Sequence, residues 1–100
     1  MSIFVIGDKN TVLGFRLIGV RGKTIESISE ARDSLAEILE DKEINLVLIT
    51  REWAGKMRGE IDRLKMASLR PIVMEIPGEK DEPPEKPLAE YARRVIGIRT

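Results

Sequence analysis

The stretch SIFVIGDKNTVLGFRLIGVRGKTI, residues 2–25, decides the architecture. SIFVI (2–6) is short, apolar, β-branched and aromatic, and a turn signal follows it at once, the pattern of a buried strand. TVLGFRLI (11–18) predicts a short helix, with Asn10 or Thr11 as cap and Gly19 ending it in a left-handed conformation. KTI (23–25) predicts a short second strand at a sheet edge. A strand, a helix and a strand in succession open an α/β fold, because a crossover of this kind joins parallel strands.

The rest of the chain repeats the theme. SEARDSLAEILED (29–41) predicts a helix capped by Ser27 or Ser29, with Ala31, Leu35, Ile38 and Leu39 as its apolar stripe. INLVLIT (44–50) is apolar almost throughout, as expected of a central parallel strand covered on both faces. Residues 52–68 read as helix, with Trp53, Met57, Ile61, Leu64 and Ser68 at helical spacing. Gly55 and Gly59 weaken it by about 1 kcal/mol each, so a break is expected near them. RPIVMEIPG (70–78) predicts the last strand, with Pro71 and Pro77 at its ends, where proline is tolerated. Between residues 78 and 87, GEKDEPPEKP holds three prolines, a glycine and six charges, and reads as a surface linker. PLAEYARRVIG (87–97) predicts a terminal helix with Leu88, Tyr91, Ala92, Val95 and Ile96 on its apolar face. The expected organisation is a globular α/β domain over 1–77, a linker over 78–87, and a C-terminal helix over 88–97, packed or mobile. Its sheet is expected to be four-stranded and mainly parallel, with helices on both faces in three layers.

The totals narrow the chemistry. The chain has 100 residues, 17 basic and 17 acidic, so no net charge draws it to nucleic acid. No apolar run approaches the length of a membrane span, and the start of the chain lacks the pattern of a signal peptide. There is no Cys and no His. Disulfides, thiol nucleophiles, imidazole bases and the usual zinc sites are therefore excluded.

The glycines of residues 7–22 raise a phosphate loop as a possibility, and their spacing removes it. A dinucleotide fingerprint needs G-x-G-x-x-G after the first strand, and Gly7 is followed by Asp8, Lys9 and Asn10. A P-loop needs G-x-x-x-x-G-K-[ST], and Gly14 is followed by Phe15 and Arg16. A phosphorylatable receiver domain suits the fold and length. It needs an acidic pocket at the strand ends with an aspartate nucleophile, and LVLIT ends in Thr50 instead. Asp8 stands alone and reads as a turn or helix-cap residue. Glu37 and Asp41 read as surface acids. Arg51, Lys56, Arg58, Arg63, Lys65 and Arg70, interrupted by Glu52, Glu60 and Asp62, read as a solvated face or a docking surface for an acidic protein. Trp53 and Tyr91 are read as partly buried or as contact residues, since Trp and Tyr are enriched at protein interfaces.

VIGDKNTVLGFRLIGV (5–20) resembles the N-terminal signature of the F subunit of the rotary A-type and V-type ATPases, the archaeal members above all. LVLITRE (46–52), RPIVMEIPG (70–78) and ARRVIGI (92–98) are similar to the family's later segments, in order. Gly-Phe-Arg-Leu on a short first helix is the most specific of these. The resemblance implies a receiver-like (Rossmann-like) α/β domain without phosphorylation chemistry and without catalytic residues, cofactor or metal. It implies a central-stalk rotor component that binds the helical hairpin of the D subunit. It also implies a C-terminal helix that can reach the catalytic A and B subunits of the head. It implies a place for this chain on the cytoplasmic side of the cell membrane, peripheral, as part of the complex, with no membrane insertion and no nucleic-acid partner. Phe15, Arg16, Trp53, Tyr91, Arg93 and Arg94 are the expected interface candidates, with Phe15 packed inward and Arg16 available to pair with an acid. A receiver-like signalling domain and a small-molecule or nucleotide-binding domain are the alternatives.

Overall fold

The structure, a computed structural model, describes residues 2–67 and 71–79. The elements run β1 (Ser2–Gly7), α1 (Lys9–Arg16), β2 (Arg21–Thr24), α2 (Ile28–Glu40), β3 (Ile44–Thr50), α3 (Arg51–Lys56), α4 (Arg58–Ala67) and β4 (Ile72–Ile76). The strands form one sheet in the order β2-β1-β3-β4, and every pairing is parallel. The sheet is thus wholly parallel, with β2 and β4 at its edges.

Alternating residues of the two inner strands feed two separate cores. Ile3 and Val5 of β1 and Leu46 and Leu48 of β3 pack with Val12 and Phe15 of α1 on one face. Ile6, Val47 and Ile49 pack on the other face with Ala31, Leu35 and Ile38 of α2, Trp53 and Ala54 of α3, and Ile61 of α4. A strand apolar at every position is what a sheet covered on both sides requires. The three layers are therefore α1, the sheet, and the α2–α3–α4 group.

Several boundaries differ from the sequence expectation. Helix α1 begins two residues early because Asp8, rather than Asn10 or Thr11, caps it: the Asp8 side chain accepts from the Thr11 backbone N–H. Gly19, at φ +90°, takes the left-handed turn beyond it as expected. Strand β2 starts at Arg21, since its pairing with Phe4 and Val5 comes from the neighbouring strand rather than from its own polar residues. Ser27 caps α2 by accepting from Glu30 N–H. Leu39, assigned to the apolar stripe of α2, is instead exposed. The expected helix over 52–68 is two helices, broken at Met57 between the two glycines, where the Met57 N–H reaches back to the carbonyls of Trp53 and Ala54. The linker from residue 80 and the helix over 88–97 lie outside the described residues.

Candidate functional site

The strand order reverses between β1 and β3, and open α/β sheets bind ligands outside the carboxyl ends of their strands at such a point. Here that position is filled by the chain itself. Gly7 packs so closely on Thr50 that a Cβ on it would stand 2.3 Å from Thr50 Cγ2. Thr50 is wholly buried. After β4, Gly78 crosses the end of β3, where a Cβ would meet Thr50 Cβ at 3.1 Å and Asp8 Oδ1 at 2.9 Å. The next residue then donates its backbone N–H to Asp8 Oδ1 at 3.1 Å. Asp8 also accepts from the Thr11 N–H at 3.0 Å and from the Thr11 hydroxyl at 2.8 Å. Partial burial pushes the Asp8 carboxyl up, but the bonds from Thr11 N–H, Glu79 N–H and the Thr11 hydroxyl outweigh it and hold the pKa below the ordinary value. Among the described residues no three carboxylates gather as a metal site. A carboxylate spent on three donors, facing a buried threonine, is a structural junction.

The surface of α1 has a different character. Thr11, Val12 and Phe15 hold its inner side, and Phe15 is fully enclosed as expected. Phe15 therefore fixes the helix rather than presenting a ring to solvent. On the outer side Leu13 is 51% exposed, Leu17 78% and Ile18 41%. Leu13 and Leu17 stand one turn apart and so share a face. Arg16 is exposed beside them. On the same side of the sheet, β4 presents Ile72 and Met74, both exposed, because their register partners are Leu46 and Leu48 of the α1-side core. An apolar row with a cation at its edge is a surface suited to another protein. Of these residues only Arg16 was singled out from the sequence. The spacing of Leu13 and Leu17 could have revealed the row, once Val12 and Phe15 are assigned to the core.

The ATP synthase (F/14-kDa) subunit family matches residues 3–95 of the chain. Curated relatives agree over nearly the whole length. The F subunit of the A-type ATP synthase of Methanothermobacter thermautotrophicus is 35% identical over 97% of this chain and 93% of its own. Those of Pyrococcus furiosus and Thermococcus kodakarensis are each 36% identical over 98% of this chain and 96% of their own. The chain belongs to the ATP synthase (F/14-kDa) subunit family. As a member of that family it carries, among the described residues, no helix long and apolar enough to cross a membrane.

The other expected contact residues of this family member fall in different places. Trp53 is buried against the α2–α4 side of the sheet, and the Lys56 ammonium lies 4.3 Å from its ring centroid. Much of the basic stretch is paired within the chain. Lys56 reaches Glu52 at 3.6 Å, and Arg58 contacts Asp62 at 3.3 Å and Glu75 at 2.9 Å. Lys65 reaches Glu75 at 2.6 Å. Between α2 and α4 a groove of about 360 Å³ is lined by Leu35, Ala36, Leu39 and Leu64, with the Arg32–Glu60 pair spanning it at 2.8 Å. Glu37 and Asp41 face Arg21 and Lys23 across a smaller cleft, and Asp41 also accepts from Glu43 N–H at 2.9 Å. Arg70, Tyr91, Arg93 and Arg94 lie outside the described residues.

Proposed function

We propose that this chain is a non-catalytic central-stalk component of an A-type rotary ATP synthase, and that it binds the helical hairpin of the D subunit through the outer face of α1. The observation that carries the reading is the exposed row Leu13, Leu17 and Ile18 with Arg16 beside it, on and just past a helix whose inner side is locked into the core. A rotor must transmit torque without bending, and a rigid domain clamped on a long hairpin limits that bending. The two leucines supply apolar area for the hairpin, and Arg16 supplies a charge for an acid on it. The relatives named as F subunits of A-type ATP synthases support the assembly in which this happens. So does the sealed switch point, where a receiver would hold its phosphorylatable aspartate and a nucleotide-binding domain its ligand. On this reading the chain lies on the cytoplasmic side of the membrane as a peripheral part of the complex. The segment after residue 79, with Tyr91, Arg93 and Arg94, is its second contact, towards the catalytic A and B subunits.

The test is co-elution with the purified hairpin protein in size-exclusion chromatography at micromolar concentration. The wild-type chain is expected to co-elute. Leu17→Asp is expected to weaken binding by about 100-fold, as loss of a central apolar contact of 2–3 kcal/mol would, with an unchanged circular dichroism spectrum. Failure of the wild-type chain to co-elute would sink the reading.

A further inference from the structure

Three parts of the chain meet at one carboxylate. Asp8 follows β1 and caps α1, the helix at whose outer side and C-terminal end the exposed apolar row lies. Its Oδ1 also receives the backbone N–H of Glu79 at 3.1 Å, and the Asn10 amide donates to Glu79 Oε1 at 2.6 Å. Because β3 lies between β1 and β4, residues 78 and 79 reach Asp8 only by passing over the end of β3. Gly78 makes that passage possible, since a Cβ there would collide with Asp8 Oδ1 at 2.9 Å and press on Thr50 Cβ at 3.1 Å. The route is thus built for close approach: a glycine at the crossing, a buried threonine beneath it, and a half-buried carboxylate at its end.

We infer that the Asp8 carboxylate joins the exit of the C-terminal segment to the α1 docking face as one cooperative unit. A pull on residue 79 loosens the first turn of α1, and a partner seated on α1 tightens residue 79. The physical basis is shared occupancy. Asp8 holds Thr11 N–H and Glu79 N–H at once, and Asn10, inside that first turn, holds the Glu79 side chain. Displacing residue 79 therefore removes two restraints on the turn that begins α1. Linkage requires the converse with the same factor. Through this strap the chain beyond residue 79 is able to adjust the affinity of a surface it need not touch. The coupling to docking rests on the proposed binding of a helical partner by α1.

Two variants test it without altering Asp8 or the docking residues. Glu79→Pro removes the donated N–H, and Gly78→Ala pushes the crossing segment off the carboxylate. Residue-resolved amide hydrogen exchange on the full-length isolated protein is the first readout. Both variants are expected to speed exchange at Thr11 and Val12 by about fivefold or more, while protection across Leu46–Ile49 stays at the wild-type level and shows the fold intact. Unchanged exchange at Thr11 and Val12 in both variants would overturn the inference and leave Asp8 as a local cap. The second readout is affinity for the purified hairpin protein. A loss of about fivefold in Glu79→Pro, with slower exchange at the Glu79 amide when the wild-type complex forms, is the expected result. Equal affinity of variant and wild type would refute the link to docking. A wild-type chain that does not bind the hairpin refutes both the proposed function and the link to docking, whereas the exchange result on the isolated protein still decides whether residue 79 and α1 form one unit.

Discussion

At the scale of single residues, a position is legible in the sequence where one strong local cause fixes it. Asp8, alone after an apolar strand, reads as a turn or helix-cap residue, and it takes the cap expected of Asn10 or Thr11 by accepting from Thr11 N–H. Phe15 reads as an inward residue and is wholly buried. Thr50 shows where local reasoning stops. It occupies the N-cap position of α3 yet makes no side-chain cap bond, and its hydroxyl is buried with no hydrogen-bond partner among the described residues. A threonine there is chosen for volume beneath Gly7 and Gly78 more than for its polar atom. Replacing it by valine removes an unsatisfied group at nearly constant shape. Thr50→Val is therefore expected to stabilise the fold by about 1 kcal/mol, read from the midpoint of urea unfolding. A loss of stability would show that the hydroxyl does have a partner.

At the scale of elements, the strands and the long helix α2 were legible because each carries its own period. Helix α1 was shifted and β2 was displaced towards Arg21, since a cap and a neighbouring strand set their ends. The pairing of α4 with the edge strand β4 was not legible at all. Glu75 points from β4 towards α4 and accepts from Arg58 at 2.9 Å and from Lys65 at 2.6 Å. A charge on the sheet edge also discourages pairing with another strand. The hydrogen bonds from Arg58 and then Lys65 draw the Glu75 pKa from 4.5 to about 2. A carboxylate whose pKa is lower in the folded state contributes stability that is fully present above its unfolded value and is lost as pH falls through the folded one. Titration from about pH 5 to about pH 2 should therefore weaken the native fold, with Glu75→Gln showing a shallower decline. Identical slopes for the two proteins would remove Glu75 as a source of acid sensitivity.

At the scale of the whole molecule, tertiary contacts continue past the last strand. Residues 78 and 79 remain fastened to the loop after β1, although their composition belongs to the charged, proline-rich run. A chain ending at Glu79 is expected to unfold in one cooperative transition. A chain ending at Gly78 lacks the Glu79 N–H and the Asn10 partner, and sets a terminal carboxylate beside Asp8. It should be less stable by about 1–3 kcal/mol, the cost of leaving a part-buried acceptor with a lost donor, as measured by chemical denaturation of both. Equal midpoints would show that the Glu79 bonds add nothing to the stability of the fold.

The sequence alone determined the α/β class, the parallel order of its units and the absence of thiol and imidazole chemistry. It did so because apolar period, glycine and proline placement and composition are local properties of the chain. Its resemblance to the F subunits of rotary ATPases likewise lay in short ordered motifs. Tertiary structure alone decided that Glu75 of β4 pairs with Arg58 and Lys65 of α4, that Ile72 and Met74 lie on the α1 side of the sheet, and that Gly78 and Glu79 close over Thr50 onto Asp8. These depend on contacts between residues up to 71 positions apart, as in the Glu79 bond to Asp8, and no local pattern encodes a partner that only the folded sheet brings near.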